Sequence, residues 1–244
     1  SNNQITAALG IFHNSTQDKL SDQMRVDFVA NVSHEIRTPL TSIKGYSQLL
    51  EAQKEKVPSE LHPILQKINS NTERLKDLFN NLLKLSQIET QYQLDKKEFN
   101  LREVISKIQG QIKGKYLSHK FLIDYIGEEI LYGDQKLLEQ VFINLIDNSI
   151  KYSNKDETRI QIVHTKSLDY HIIGIKDNGI GLNHDEMKRI FERFYRVQGK
   201  STKPIEGSGL GLSIVKHIIN RHGGEIEVKS EENVGSEFII HLPF

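Results

Sequence analysis

The chain has 244 residues, enough for two ordinary domains of about 100 to 150 residues each. Its 32 Lys and Arg residues balance 32 Asp and Glu residues, so the overall charge gives no reason to expect a nucleic-acid partner. The absence of cysteine excludes disulfides, thiolate zinc sites and cysteine nucleophiles.

The N-terminal residues SNNQ lack an initiator methionine, which indicates a fragment of a longer protein. No apolar run approaches the 18 or so residues that a membrane-spanning helix needs. We therefore expect residues 1–20 to be the remnant of an upstream sensor or signalling helix.

Two long amphipathic helices are predicted next, in a domain spanning residues 21–92. From residue 61 to 88, Leu and Ile recur at steps of three and four, and a similar pattern runs from about residue 18 to 51. The polar segment EAQKEKVPSE separates them, so the helices form an antiparallel hairpin. Because a helix about 42 Å long cannot cover its apolar face with one partner, we expect a homodimeric four-helix bundle.

The first helix contains the stretch FVANVSHEIRTPLTSIKGY. Helical geometry places His34 away from the apolar face, with Glu35 beside it and Thr38 one turn further on the same face. An exposed imidazole beside a carboxylate can act as a nucleophile, although a lone His before Glu is more often a solvated surface residue. Pro39 cannot donate to the carbonyl of Glu35, so it loosens the helix there.

The string SHEIRTPL, preceded by FVAN and followed by TSIKGY, resembles the H-box of sensor histidine kinases of the HisKA type. The resemblance implies that His34 accepts a phosphoryl group from ATP and that Glu35 is its acid/base partner. It also implies that Thr38 helps to position water when the partner protein is dephosphorylated.

Helices and strands alternate in the second predicted domain, residues 97–244. After QYQLDKKEFN, which predicts a linker and a first strand, the pattern indicates an α+β arrangement, most simply one sheet with helices on one face. The predicted helices are 101–115, 134–152, 185–191 and 211–222, and the predicted strands are 120–125, 159–165, 170–176, 225–230 and 236–242, the last two forming a hairpin across ENVG.

One predicted helix, QVFINLIDNSIKYS, carries a polar face made of Gln140, Asn144, Asn148, Lys151 and Tyr152. Amide oxygens can bind Mg²⁺, a lysine can reach phosphate and a tyrosine can flank a base. An ordinary exposed helix face is the alternative, but such faces usually carry Glu and Lys rather than repeated Asn.

Two glycine-containing segments follow. In IIGIKDNGIGL a strand pattern ends at Asp177, a candidate acceptor for an exocyclic amine. Gly179 and Gly181 follow it and would let a flat ring approach the backbone, although DNG is often only a turn. The run GSGLGL places glycines at a helix start, where free N–H groups attract phosphate, although its spacing is not that of a dinucleotide fingerprint. Between them, QGKSTKPIE is a candidate lid.

The order of these segments resembles the N, G1, F and G2 boxes of the GHKL (Bergerat-type) ATP-binding fold of histidine kinases, with FERFYR as the F box. The resemblance implies a helical hairpin followed by an α+β sandwich that binds ATP and Mg²⁺. By position, it assigns Asn148 to Mg²⁺; Asn144, Lys151 and Arg196 to phosphate; Tyr152 and Asp177, with Gly179 and Gly181, to adenine; and Gly207, Ser208, Gly209, Leu210 and Gly211 to wrapping the phosphates.

Two features distinguish this sequence from relatives that share the fold. ATP-hydrolysing relatives place a glutamate four residues before the metal-binding asparagine, whereas this chain has Asn144, which cannot act as a general base. The lid segment retains only Lys200 and Lys203 as basic residues, so no phosphate contact is assigned there.

The resemblance as a whole implies the cytoplasmic core of a membrane-anchored bacterial sensor histidine kinase. Such a kinase autophosphorylates its histidine, passes the phosphoryl group to an aspartate of a response regulator and also dephosphorylates that regulator. A GHKL ATPase that hydrolyses ATP and a non-enzymatic scaffold remain as alternatives. The segment ITAALGIFHNSTQDKL resembles the end of a PAS sensor domain, although a frayed helix explains it equally well.

Overall fold

The structure is a computed structural model that describes residues 36, 38–90, 93–116, 119–153, 157–197 and 207–244. His34, Glu35, Lys200, Lys203 and the segment that resembles a PAS domain lie outside these residues. None of the helices in the described ranges is long and apolar enough to cross a membrane.

The first unit is the predicted antiparallel hairpin. Helix α1 covers residues 38–52 of the described chain, helix α2 spans His62–Thr90, and two short 3-10 turns join them. An ion pair between Lys44 and Glu73 and a 2.8 Å hydrogen bond from Asn69 Nδ2 to Glu51 Oε2 hold the helices together.

Much of the apolar face of the hairpin is exposed. Leu40 and Leu65 are buried between the two helices. By contrast, Ile43 is 46% exposed, Ile64 is 52% exposed and Leu75 is 43% exposed. One hairpin therefore leaves large apolar side chains in contact with water, as the periodicity predicted.

The second unit contains seven strands and four helices within the described residues. Their order is β1 (Lys96–Asn100), α3 (Leu101–Lys115), β2 (Lys120–Gly127), β3 (Ile130–Asp134), α4 (Gln135–Lys151), β4 (Glu157–Lys166), β5 (Tyr170–Asp177), α5 (His184–Arg189), α6 (Gly211–Arg221), β6 (Glu225–Glu231) and β7 (Gly235–Pro243). All four predicted helices and the predicted strands are confirmed, with ends that differ by up to two residues.

The strands form two sheets, so the expectation of a single sheet is wrong. The larger sheet has the order β2-β4-β5-β7-β6, with β2 and β4 parallel and the other neighbours antiparallel. The unpredicted strand β3 pairs with β1 in a separate antiparallel ribbon. Strand β3 has only five residues and leads directly into α4, where the Asp134 carboxylate accepts from Lys136 N and Leu137 N and caps the helix.

One face of the larger sheet is covered by helices. Alternate residues on its central strands are buried, including Ile160, Ile162, Ile173 and Ile175, while the residues between them face the opposite side. These side chains share a single core with the apolar faces of α3, α4 and α6. The α+β arrangement with helices on one face of the main sheet is therefore confirmed.

A buried histidine pair lies on the covered face of this sheet. His164 Nδ1 donates to the Glu128 carbonyl at 2.7 Å, so this nitrogen carries the proton. His164 Nε2 therefore accepts from His171 Nδ1 at 3.0 Å. Burial, and secondarily the neighbouring His164, lowers the pKa of His171 to about 4. Burial also lowers the pKa of His164. Both rings are therefore neutral at pH 7.

Helix α2 reaches the second unit near its C-terminal end. Ile88 is buried in the core of that unit, and Arg221 donates a 2.7 Å hydrogen bond to the Ile88 carbonyl. About two helical turns before Ile88, Asn81 Nδ2 donates to Ser208 Oγ at 3.0 Å. Helix α2 therefore contacts the second unit both just before α6, at Ser208, and at the last residue of α6, Arg221.

Candidate nucleotide-binding site

A cavity of about 300 Å³ opens where α4, the end of β5 and the start of α6 meet. Its wall includes eleven of the predicted binding residues, which come from four separate segments of the chain: Asn144, Asn148, Lys151, Tyr152, Asp177, Gly181, Arg196, Gly207, Ser208, Gly209 and Gly211. Gly179 and Leu210 do not line it. The fold thus brings most of the predicted residues to one place.

Helix α4 supplies the polar floor of the cavity. Its opposite face is anchored by fully buried residues such as Val141, Phe142 and Leu145, so the Asn-rich face must point toward the cavity. Asn144 accepts from Gln140 at 3.3 Å and donates to the Gly211 carbonyl at 3.4 Å, which links α4 to α6.

Asn148 lies beside these residues on the cavity wall. Within the ranges that the structure describes, no group forms a hydrogen bond with its carboxamide. A side-chain amide oxygen in this position is an available hard donor, the kind of ligand that Mg²⁺ prefers.

Asp177 lies at the end of β5 and lines the cavity. Its Oδ1 accepts from Gly179 N at 2.8 Å and from Ser236 N at 3.2 Å, and its Oδ2 accepts from Ser149 Oγ at 3.3 Å. Burial raises the pKa of the Asp177 carboxyl, although these three hydrogen bonds oppose the rise. One acceptor position on Oδ2 stays available for a ligand.

The two glycines after Asp177 are required by the backbone around them. A Cβ atom at Gly179 would lie 2.7 Å from the Tyr152 carbonyl oxygen. Gly181 has a φ of +66°, and a Cβ there would lie 1.9 Å from the Glu231 carbonyl oxygen. Both glycines are therefore required by the tight turn that fixes Asp177, and their predicted role toward a flat ring stays a prediction.

The glycine-rich segment before α6 combines a rigid turn with open space. Gly209 has a φ of +72°, and a Cβ there would lie 2.7 Å from the backbone of Phe194. At Gly207 a Cβ would meet nothing within 4 Å among the residues that the structure describes. Leu210 is fully buried and anchors the segment, while the amides that follow Gly211 begin a helix with no side-chain cap. Such N–H groups attract anions.

Arg196 and Tyr152 meet at another edge of the cavity. Burial raises the pKa of the Tyr152 hydroxyl, whereas the charge of Arg196 and its hydrogen bond to Tyr152 lower it. Close by, the Arg189 guanidinium stacks 4.5 Å from the centre of the Tyr195 ring. Arg196, assigned to phosphate, and Tyr152, assigned to adenine, are therefore in contact, and both assignments stay predictions.

The predicted acceptor region is only partly described. His34 and Glu35 lie outside the described residues, so their roles stay predictions. Thr38 and Pro39 are exposed at the start of the described part of α1, and Ser42 Oγ donates to the Thr38 carbonyl at 3.3 Å.

Several residues of the cavity wall were not predicted. Asp147 and Lys115 lie next to Lys151, and Asp77, Asn81 and Lys84 project from α2. Lys84 Nζ donates to Gln140 Oε1 at 3.4 Å. The i to i+4 spacing of Asp147 and Lys151 was the one local pattern in the sequence that could have indicated this part of the wall, since such pairs meet on a helix.

Two family models match separate parts of the chain. The His Kinase A (phospho-acceptor) domain matches residues 24–91, and the Histidine kinase-, DNA gyrase B-, and HSP90-like ATPase family matches residues 133–244. Sensor protein SrrB of Staphylococcus aureus strain N315 is 35% identical over 235 residues, which cover 93% of this chain and 40% of that protein. The chain therefore spans about two fifths of the length of the curated relatives it matches.

Solved structures show the same architecture. The Acinetobacter baumannii histidine kinase AdeS is 26% identical, with a TM-score of 0.60 over 86% of this chain and 97% of that one. Full-length ShkA in complex with AMPPNP shares the fold, with 23% identity and a TM-score of 0.66 over 89% of this chain and 46% of that one. From the two family matches, the relatives and the cavity together, we conclude that the chain belongs to the sensor histidine kinase family and carries its catalytic core, a phosphoacceptor domain followed by an ATP-binding domain.

Proposed function

We propose that this chain autophosphorylates His34 from Mg-ATP and then passes the phosphoryl group to an aspartate of a response regulator. The observation that supports the proposal is the convergence of Asn148, Lys151, Arg196 and the glycine-rich segment before α6 on one cavity, which Asp177 also lines. The cations and N–H groups suit phosphates, and the buried carboxylate of Asp177 suits the exocyclic amine of adenine.

The residues present fit a bound Mg²⁺. The Asn148 amide supplies one hard oxygen, and nucleotide phosphates and water complete such a shell. In the described ranges no group of three or more His, Asp or Glu side chains could hold a metal by itself, which agrees with an ion that arrives with its nucleotide. When bound, Mg²⁺ neutralises charge on the phosphate oxygens.

In the proposed reaction a ring nitrogen of His34 attacks the γ-phosphorus. The new P–N bond forms as the bond from that phosphorus to the bridging oxygen breaks, and ADP leaves. Glu35 takes the imidazole proton, and Lys151 and Arg196 hold the phosphates in place. Thr38 orients water when the regulator is dephosphorylated.

The same proposal includes an assembly and a domain plan. Residues 21–92 are the dimerisation and phosphotransfer domain, residues 97–244 are the catalytic domain, and residues 1–20 continue from an upstream sensor. Ile43, Ile64 and Leu75, which are exposed in one hairpin, become buried in a four-helix bundle of two copies. A clean monomer in sedimentation at micromolar concentration would contradict the dimer.

In its full-length form the protein is anchored in the cell membrane, with this part facing the cytoplasm.

The proposed function is tested by incubation with γ-labelled ATP and Mg²⁺. We expect an acid-labile, base-stable phosphoprotein that loses its label to a receiver domain. The His34→Gln variant should take up no label while it still binds nucleotide, and label retained in this variant would refute the site. Steady phosphate release without a phosphoprotein would favour an ATP-hydrolysing enzyme, and absence of nucleotide binding would favour a scaffold.

A further inference from the structure

Asp147 is the centre of a cluster of charged side chains at the edge of the cavity. Its Oδ2 accepts from Lys151 Nζ at 2.7 Å. Its Oδ1 accepts from Lys115 Nζ at 2.6 Å and from the Tyr116 hydroxyl at 2.8 Å. Both carboxylate oxygens are therefore engaged, and the side chain is only 16% exposed.

The cluster is continuous with the nucleotide site. Asp147, Lys115 and Lys151 all line the cavity, whereas Tyr116 does not. An ammonium group has three donors, so Lys151 can keep its bond to Asp147 and still direct two donors at phosphate oxygens. Lys115 reaches the same carboxylate from the end of α3, and its side chain is 56% exposed.

Electrostatics keep Asp147 ionised. Burial by itself would raise the pKa of its carboxyl, but Lys151 and Lys115 outweigh burial, so the pKa lies below its usual range. Two lysines and one carboxylate leave the cluster with a net charge of +1, because 2 − 1 = 1. The cluster can thus attract a polyphosphate while the carboxylate fixes where the lysine ammonium lies.

We propose that Asp147 is a positioning residue that holds Lys151 in the orientation needed for phosphoryl transfer. The inference rests on the proposed autophosphorylation. A free lysine side chain has many rotamers, and fixing it before the nucleotide arrives removes an entropic cost from the reacting complex. Asp147 acts through Lys151 and touches no reacting atom.

A purely structural role makes a different prediction. In that case Asp147 would only fasten the end of α3 to α4 through Tyr116 and Lys115. Removing the Tyr116 hydroxyl would then be as harmful as neutralising Asp147, and both losses would follow the stability of the fold. The two roles are therefore distinguished by comparing the loss of the Asp147 charge with the loss of the Tyr116 hydroxyl.

The experiment measures the rate of phosphoprotein formation at saturating Mg-ATP together with the Kd of ADP, for the whole chain. We expect Asp147→Asn to lower the rate by about tenfold. Its Kd for ADP should stay equal or become tighter, because a negative charge is removed near the phosphates. The matched control Tyr116→Phe should keep the rate within about twofold and report any loss of melting temperature.

A double-mutant cycle with Lys151→Gln completes the test. If Asp147 acts through Lys151, adding Asp147→Asn to Lys151→Gln should change the rate by no more than about twofold. Independent, multiplying losses would overturn the proposal, and so would an unchanged rate in the single Asp147→Asn variant. Failure of the wild-type chain to form a phosphoprotein would instead refute the proposed function, so the two failures are distinguishable.

Discussion

Replacement of Asp177 by Asn should reduce both nucleotide affinity and the preference for adenine. The Asn oxygen can still accept from the backbone amides of Gly179 and Ser236, which now hold Oδ1. The NH₂ group then takes the place of Oδ2, where it turns a charged acceptor into a donor facing the donor amine of adenine. We therefore expect the turn to remain folded while the hydrogen bond to the base is lost.

The magnitude follows from that one bond. A hydrogen bond to a charged group contributes about 1.5 to 3 kcal/mol, and about 1.4 kcal/mol corresponds to a factor of ten, so the Kd of ADP should rise about 10- to 150-fold. Because two of the three protein hydrogen bonds to Asp177 persist, the melting temperature should stay close to that of the wild type.

Calorimetric titration with ADP and with inosine diphosphate gives the decisive comparison. Inosine carries a carbonyl in place of the exocyclic amine, so the wild type should prefer ADP. Asp177→Asn should lose or reverse this preference, because its NH₂ group can donate to the inosine carbonyl. Ser149→Ala is the matched control, since it removes a neighbouring hydroxyl and leaves the carboxylate charge. A variant that binds ADP within twofold of the wild type and keeps its preference would refute adenine recognition by Asp177.

Three other changes test separate parts of the chain. Gly209→Ala should destabilise the fold by about 1 to 3 kcal/mol in urea unfolding, because the φ of Gly209 is +72° and a Cβ there would meet the backbone of Phe194. A Cβ at Gly207 would meet no described atom within 4 Å, so Gly207→Ala should change stability by less than about 0.5 kcal/mol. The pKa of His171 is lowered from 6.5 to about 4, so between pH 4 and pH 6.5 the unfolded state binds more protons than the folded state. The free energy of unfolding should therefore fall by up to about 1.4 kcal/mol per pH unit as the pH drops from 6.5 to 4. The His171→Gln variant should show a weaker pH dependence. Pro39→Ala should stiffen α1 and change the ratio of kinase to regulator phosphatase rates, and unchanged rates of both would leave Pro39 as a packing feature.

Local patterns in the sequence predicted the parts of the site that one element carries. The period of α4 was sufficient to place Asn144, Asn148 and Lys151 on one face, because the apolar residues between them fix the rotation of the helix. Strand β3 was missed because five residues that run directly into a helix leave too little alternation to detect.

Contacts between distant segments could not be predicted in this way. Tyr116 and Asp147 are 31 residues apart, and Asn81 and Ser208 are 127 residues apart. Each of these side chains is unremarkable within its own helix or loop, and its partner becomes known only when the elements are packed. The same limit applies to Gly181, where the carbonyl of Glu231, at the end of β6, leaves no space for a Cβ atom.

The carboxylates of the cavity wall favour transfer of the phosphoryl group over hydrolysis. Activation of water requires a positioned general base within hydrogen-bond reach of that water. Of the carboxylates on the described wall, Asp147 is occupied by two lysines and a tyrosine, and Asp177 is held by three donors at the end proposed for adenine. Asp77 lies on an exposed face of α2, and Asn144, where hydrolytic relatives place a glutamate, is an amide bonded to Gln140 and Gly211. Of these wall residues, Asn144 cannot act as a general base for water, and Asp147 and Asp177 are already engaged, which supports the proposed transfer of the γ-phosphoryl group to a histidine.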